Sequence, residues 1–296
     1  MRISESCAAC LYDKQAHRSE DPEFLNEIRS IIDNRTETDV SAYLVYQFNQ
    51  AFERRFGRKM SYEAVKREYN DLVLSMETAL REKIEKSPDP LATALVFARI
   101  GNYIDFGAMN HVDKDVFLGL FADTRMSRHD EETFRSFLKQ CKTARKFLLV
   151  ADNCGEIVLD KLLIEQMQKA FPEMSVTVMV RGGEVLNDAT AEDAAYTGID
   201  SIARVVSNGL PIAGTVYGLL SPEGRQAIDD ADLILAKGQG NYESMSAQGR
   251  HVFYLFLCKC DLFTSRFGVP RLTGMFVEEN TDAIQLMSGR IQNDCG

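Results

Sequence analysis

The apolar positions divide the chain into two parts with different periods. Up to about Lys142 they recur at helical spacing with charges on the opposite face, as in "NEIRSIIDN" and "YEAVKREYNDLVLSMETALREKIEKS". Ser87-Pro88-Asp89-Pro90 stops the longer of these helices, and "LATALVFARIGNYIDFGAM" reads as another, mostly apolar one. After Cys141 the pattern changes to short runs rich in β-branched residues, "KFLLVAD", "SVTVMVRG" and "ADLILAKG", each bounded by Gly, Asp or Asn. "SIARVVSNG" and "HVFYLFLCKC" supply two further candidate strands. Apolar strands alternating with helices predict a sheet covered on both faces. The expected fold class is therefore α/β. An all-helical N-terminal region, residues 1–142, should cover a doubly wound, Rossmann-like α/β part, residues 143–296. From about Glu278 the pattern allows a short helix and then a tail.

Composition narrows the classes. The 296 residues are 45% hydrophobic and 26% charged, as in a soluble globular protein. No apolar run approaches the roughly 20 residues that cross a bilayer. The start, "MRISESCAACLYDK", has no apolar core behind Arg2, so no signal peptide is expected and the cytoplasm is the default compartment. A formal net charge of −10 argues against nucleic acid as a partner, yet is compatible with a small phosphorylated compound held by local cations. Seven cysteines, an odd number, favour reduced thiols or metal ligands over a disulfide framework. Nothing in the sequence addresses oligomeric state.

Ligands of open α/β sheets gather beyond the carboxyl ends of the strands, and three such ends are chemically unusual here. They are Asp152-Asn153-Cys154-Gly155-Glu156, then Asn187-Asp188 before Ala189-Thr190, then Lys237-Gly238 with Gly240, Asn241 and Glu243. Each alone has a plain explanation: Asp152 or Asn153 as a helix N-cap, the glycines as turn residues. Their recurrence at successive strand ends favours a ligand site. Carboxylate and amide oxygens suit a hard divalent ion such as Mg²⁺ or Mn²⁺. Lys237 would supply a point charge for a phosphate, alongside backbone N–H groups at a helix start. Together these are a phosphoryl-transfer site in outline.

The segments "DNCGEIVLDK", "LNDAT" and "KGQGNYE" resemble the signature segments of the damage-control phosphatases, a family formerly catalogued as a domain of unknown function. "CAAC", "YEAVKREYN", "GNYIDFGAM" and "FLCKCD" extend the resemblance from Cys7 to about Asp261, in the manner of the prokaryotic CxxC-bearing type. The resemblance implies a helical region packed on an α/β domain, and metal-dependent hydrolysis of small phosphomonoesters such as sugar phosphates or damaged metabolites. It implies Asp152, Asn153 and Asp188 as metal ligands, for Mg²⁺, Mn²⁺, Co²⁺ or Ni²⁺. It implies Lys237 and Gly238 at the phosphate, Asn241 ordering that loop, and Glu156 as a supporting group or base. Asn102 and Asp105, spaced i, i+3 in "GNYID", would close over the site from the helical part. Where the family often shows Asp-Pro before a tyrosine, this chain has Met60-Ser61-Tyr62.

Two routes fit these residues: attack by a metal-polarised water, or attack by Asp152 to form an acyl-phosphate, with the second slightly favoured. Cys7 and Cys10 offer a second metal or redox site, with Cys258 and Cys260 as its other half, but Cys258-Lys259-Cys260 has the wrong spacing for a second CxxC. As an alternative, Cys7 and Cys10 pack as small apolar residues. His17, His111, His129 and His251 show no ligand spacing. Two competing functions stay open at this point. One is a nucleotide- or S-adenosylmethionine-dependent transferase, against which "ADNCGEIVLD" has one glycine where G-x-G-x-x-G needs three. The other is a non-catalytic binder of phosphometabolites.

Overall fold

The computed structural model describes residues 3–57, 61–104, 114–122 and 125–279. Among the described residues seven helices come first: α1 (Glu5–Arg18), α2 (Pro22–Asp33), α3 (Ser41–Phe56), α4 (Glu63–Glu85), α5 (Pro90–Gly101), α6 (Lys114–Leu120) and α7 (Arg128–Cys141). Local signals set several of their starts. Asp21 and Asp89 each accept a hydrogen bond from a first-turn N–H with proline at the first helical position, and Ser127 caps α7 in the same way. The α/β part follows as β1 (Lys146–Val150), α8 (Glu156–Ala170), β2 (Ser175–Val180), α9 (Ala191–Thr197), β3 (Arg204–Ser207), α10 (Pro222–Asp230), β4 (Leu233–Lys237), α11 (Gly238–Met245), β5 (Val252–Leu257), α12 (Asp261–Phe267) and β6 (Gly274–Glu279).

The sheet order is β3-β2-β1-β4-β5-β6, parallel except for β6. The chain winds outward from β1 to β3, crosses back to β4, and winds outward again. The switch point, where such sheets open a crevice, lies between the carboxyl ends of β1 and β4. The two-residue period of the strands sorts their side chains onto two cores. Phe147, Leu149, Val178, Leu235, Phe253 and Leu255 face α4, α5, α7 and α8, while Leu148, Val150, Ile234, Ala236, Tyr254 and Phe256 face α10, α11 and α12. α8 lies between the sheet and the helices α4 and α5, and is buried on nearly every side.

The pattern of the first part needs one correction. α1, α2 and α3 pack around their own core of Phe24, Ile28, Leu44, Phe48 and Phe52. α4, α5 and α7 instead share a core with α8 and the sheet. Residue 142 therefore marks a change of secondary structure and no break in the packing. β6 is an addition to the sequence reading: "GMFVEE" holds only three consecutive apolar residues, and it pairs as an antiparallel edge strand. The helix expected through "GNYIDFGAM" ends at Gly101, with Asn102 as its C-cap. Met60, Asp105 and His111 lie outside the described residues, as does the tail beyond residue 279.

Phe137 joins the layers, its ring 5.2 to 6.2 Å from those of Phe147, Phe253 and Phe276. Phe137→Ala should cost about 3–5 kcal/mol of stability through the cavity it leaves. Urea denaturation followed by circular dichroism measures this.

Candidate functional site

Backbone pairing draws the first two strand-end loops together. Beyond β1 the Asp152 carbonyl accepts from Ala189 N at 2.7 Å, and Cys154 N donates to the Asn187 carbonyl at 2.8 Å. An antiparallel bridge sets Asn153 against Asp188. α4 fastens the same loop: the Asn70 side chain accepts from Gly155 N at 2.6 Å and donates to Asp193 at 2.8 Å. Gly155 has φ +69°, a left-handed conformation, and a Cβ there would sit 3.0 Å from the Tyr69 carbonyl oxygen.

The third loop closes on the first through a missing side chain. Gly238 opens α11 with φ +79°, and a Cβ on it would fall 1.9 Å from Asp152 Oδ2. Glycine is thus required twice over, for its backbone conformation and for the carboxylate packed against its Cα. Asn241, one turn on, donates from Nδ2 to the carbonyls of Lys237 (2.7 Å) and Ala151 (3.1 Å) and so ties α11 to the end of β1.

Arg181, immediately beyond β2, fills the centre. It is 2% exposed. Nε donates to Asp188 Oδ2 at 2.6 Å, Nη2 to Asp152 Oδ1 at 3.2 Å, and Nη1 to Asn241 Oδ1 at 3.0 Å. One planar fork thereby holds residues from all three loops. Arg181 was not among the residues singled out from the sequence. Its signal was present, a charged residue ending the apolar run "SVTVMVRG".

Beneath the Asp152–Asn153 loop lies a second charged group. Asp152 Oδ2 and Glu156 Oε2 each receive N–H bonds from the carboxamides of both Asn102 and Asn153, at 2.8 to 3.1 Å. Glu156 Oε1 accepts from Lys237 Nζ at 2.7 Å, and Lys237 donates further to Asp160 Oδ1 at 2.6 Å and the Ala98 carbonyl at 2.9 Å. Glu156 and Asp160, four apart on α8, present both carboxylates on one helix face. Burial works against the charge of Lys237, but Asp160 and Glu156 hold its pKa above the ordinary value. Burial pushes the Asp160 carboxyl up to about 7, opposed by Lys237 and reinforced by Glu156.

Two residues expected at the substrate are buried and bonded internally. Lys237 and Asn102 are 0% exposed. The ammonium donates its three protons to internal acceptors, and Asn102 uses Oδ1 on Leu257 N and Nδ2 on the two carboxylates. The strand-end cation that borders open space is Arg181. It lines a cleft of about 410 Å³ between α4, α9 and the loop after β2, together with Lys66, Arg67, Asn70, Thr190 and Tyr196.

Asp152, Asn153 and Asp188 are brought together at the mouth of the switch point. Two carboxylates and a carboxamide are hard oxygen donors, the set that suits Mg²⁺ or Mn²⁺. Among the described residues no three His, Cys, Asp or Glu side chains form a metal-holding group, which is consistent with a trio whose third member is an asparagine. Cys7 is half-buried and Cys10 exposed on α1, while Cys258 is buried and Cys260 accepts from Gln239 Nε2 at 3.8 Å. Cys154, inside the loop, is buried, and burial raises its thiol pKa, so it stays a neutral thiol.

The chain matches the family model of the damage-control phosphatase ARMT1-like domain over residues 3–273. A damage-control phosphatase of Archaeoglobus fulgidus is 27% identical over 284 residues, covering 91% of this chain and 96% of that protein. One of Pyrococcus horikoshii is 31% identical over 180 residues, 60% of this chain and 61% of that one. The fold is similar to the crystal structure of a DUF89 family protein from Pyrococcus horikoshii. The TM-score is 0.72 at 24% identity, over 95% of this chain and 100% of that one.

Two outcomes follow from this geometry. Gly238→Ala should displace the Asp152 carboxylate and cost about 1–3 kcal/mol of stability, measured by urea denaturation. The raised pKa of Asp160 means that the folded protein binds the extra proton. Its contribution to stability is full below the ordinary value of 3.8 and is lost as pH rises through about 7. Unfolding free energies at pH 5 and pH 8 should therefore differ less in Asp160→Asn than in the native protein.

Proposed function

The chain belongs to the damage-control phosphatase family, and from that membership and the geometry of its strand-end loops we propose the following activity. It removes phosphate from a small phosphorylated metabolite, using a divalent ion held by Asp152, Asn153 and Asp188. The carrying observation is the convergence of Asp152 and Asp188 from separate loops, joined by the Asn153–Asp188 bridge and by Arg181 between their carboxylates. Chemistry of the donor set supports the fit. The two carboxylates are hard anionic oxygen donors, and the asparagine adds a neutral oxygen. When bound, the ion supplies a Lewis acid for the phosphoryl group.

The chain's own residues divide the remaining work. Arg181 borders the cleft and has one Nη2 proton beyond those given to Asp188, Asp152, Asn241 and Thr215, so a single charged contact to phosphate passes to it from Lys237. Asp152 is held by acceptor bonds on both oxygens, Oδ2 from two carboxamides and Oδ1 from Arg181. That arrangement suits a fixed ligand. The cleft lined by Lys66, Arg67 and Tyr196 then receives the rest of the metabolite, with Arg67 stacked 3.6 Å over the Tyr196 ring as its wall.

The test is phosphate release by metal-stripped protein with Mg²⁺, Mn²⁺, Co²⁺ or Ni²⁺ added back, over a panel of phosphomonoesters. Release should require an ion, and should fall by on the order of 100-fold or more in Asp152→Ala and Asp188→Ala, the scale of removing one electrostatic stabiliser. Folded protein that releases nothing with any ion would point instead to a non-catalytic phosphometabolite binder.

A further inference from the structure

A metal-ligating asparagine must present its oxygen, yet a carboxamide can flip end for end, and the flipped form would present N–H₂ to a cation. The surroundings of Asn153 decide its orientation. Its Nδ2 donates to Asp152 Oδ2 at 2.8 Å and to Glu156 Oε2 at 2.9 Å, so both protons are committed to carboxylate oxygens. A flip would set the amide oxygen against two anionic oxygens. Glu156 Oε2 also accepts from Asn153 N at 3.3 Å and from Asn102 Nδ2 at 3.1 Å, which leaves no N–H free to satisfy a flipped Asn153.

Glu156 is itself held from the far side. Lys237 Nζ takes Oε1 at 2.7 Å, and Lys237 is anchored in turn by Asp160 Oδ1 and the Ala98 carbonyl. Glu156, Lys237 and Asp160 are each 0% exposed, so none of them reaches the cleft. Among the described residues, the groups that meet the Glu156 carboxylate oxygens at hydrogen-bond distance are the N–H donors of Lys237, Asn102 and Asn153. A glutamine could not replace it without aiming its own N–H₂ either at Lys237 or at the two carboxamides. We propose that Glu156 is the positioning residue that turns the Asn153 carboxamide oxygen outward, and that Lys237 and Asp160 brace it from below. This deepens the proposed function and rests on Asn153 being a ligand there. It gives Lys237 a role away from the phosphate and gives Asp160 a role of its own. Supporting residues of this kind hold ligands in place, and their loss typically weakens metal affinity about 10- to 100-fold.

Mn²⁺ binding by titration calorimetry provides the readout, with folding checked by circular dichroism. Asp188→Ala serves as the control for the site itself. If it binds Mn²⁺ as tightly as the native protein, the metal-site reading fails. If it loses binding, Glu156→Gln should bind about 10- to 100-fold more weakly than native. Unchanged affinity in that variant would overturn the positioning role and leave the site reading intact. Should that variant unfold, the native protein decides through the exchange rates of the Asn153 side-chain amide protons. Protection with and without Mg²⁺ supports the bond to Glu156, and fast exchange in both states overturns it.

Discussion

A buried guanidinium between two buried carboxylates is the interaction on which the carboxyl end of this sheet depends. Removing three charges from water is costly, and the cost is offset only when geometry and hydrogen bonding are good on every side. Arg181 meets that condition with bonds to Asp188, Asp152 and Asn241, from a side chain 2% exposed. Because the fork is rigid and planar, it fixes directions as well as distances. The loops after β1 and β2 and the first turn of α11 are thus held in one arrangement. Lys237 does the corresponding work on the other side of the Asp152–Asn153 loop, through Glu156 and Asp160. The loop lies between two cations, each committed to a different pair of acids.

The location follows from topology. β1 and β4 are neighbours in the sheet but are separated in sequence by two strands, so their carboxyl ends open a crevice that no crossover fills. The helices leaving these strands, α8 and α11, start at glycines with positive φ, Gly155 as the cap of one and Gly238 as the first residue of the other. A side chain at Gly155 would strike Ile104 and the Tyr69 carbonyl of α4, and one at Gly238 would strike Asp152. Two cores, one on each face of the sheet, hold the strand ends stiffly enough for these close approaches to persist.

The elements that could be read in the sequence were those governed by local physics. The strands "KFLLVAD", "SVTVMVRG" and "ADLILAKG" announce themselves by β-branched runs between breakers, and they became β1, β2 and β4. The acids and amides at their ends stood out because charge at the end of a buried strand needs a partner. Partner identity was the part that could not be read. Asp160 looks like any charged residue of a helix until α8 is seen to be buried nearly all round. Lys237 at a strand end looks equally suited to a phosphate or to an internal acid, and only the packing of α5 and α8 decides. Asn102 follows the same logic, since a helix pattern does not reveal that the helix stops at Gly101. β6 was invisible because an edge strand needs only half its residues apolar, and three in a row give no period to detect.

The arrangement also carries a cost that the fold retains. Asp152, Asp188, Glu156 and Asp160 are gathered in one buried region around Arg181 and Lys237. Replacing such groups by apolar ones is often neutral or stabilising in other proteins, so stability alone does not explain their presence. Asp160 shows the strain openly, with one oxygen that has no hydrogen bond among the described residues and a pKa raised by burial. A concentration of buried acid is what the proposed site for a divalent cation would require before the cation arrives. The hydrogen bonds that hold the acids apart from one another would then also hold the proposed ligand oxygens in place. Binding there would need little reordering of the chain, because the geometry has already been fixed during folding.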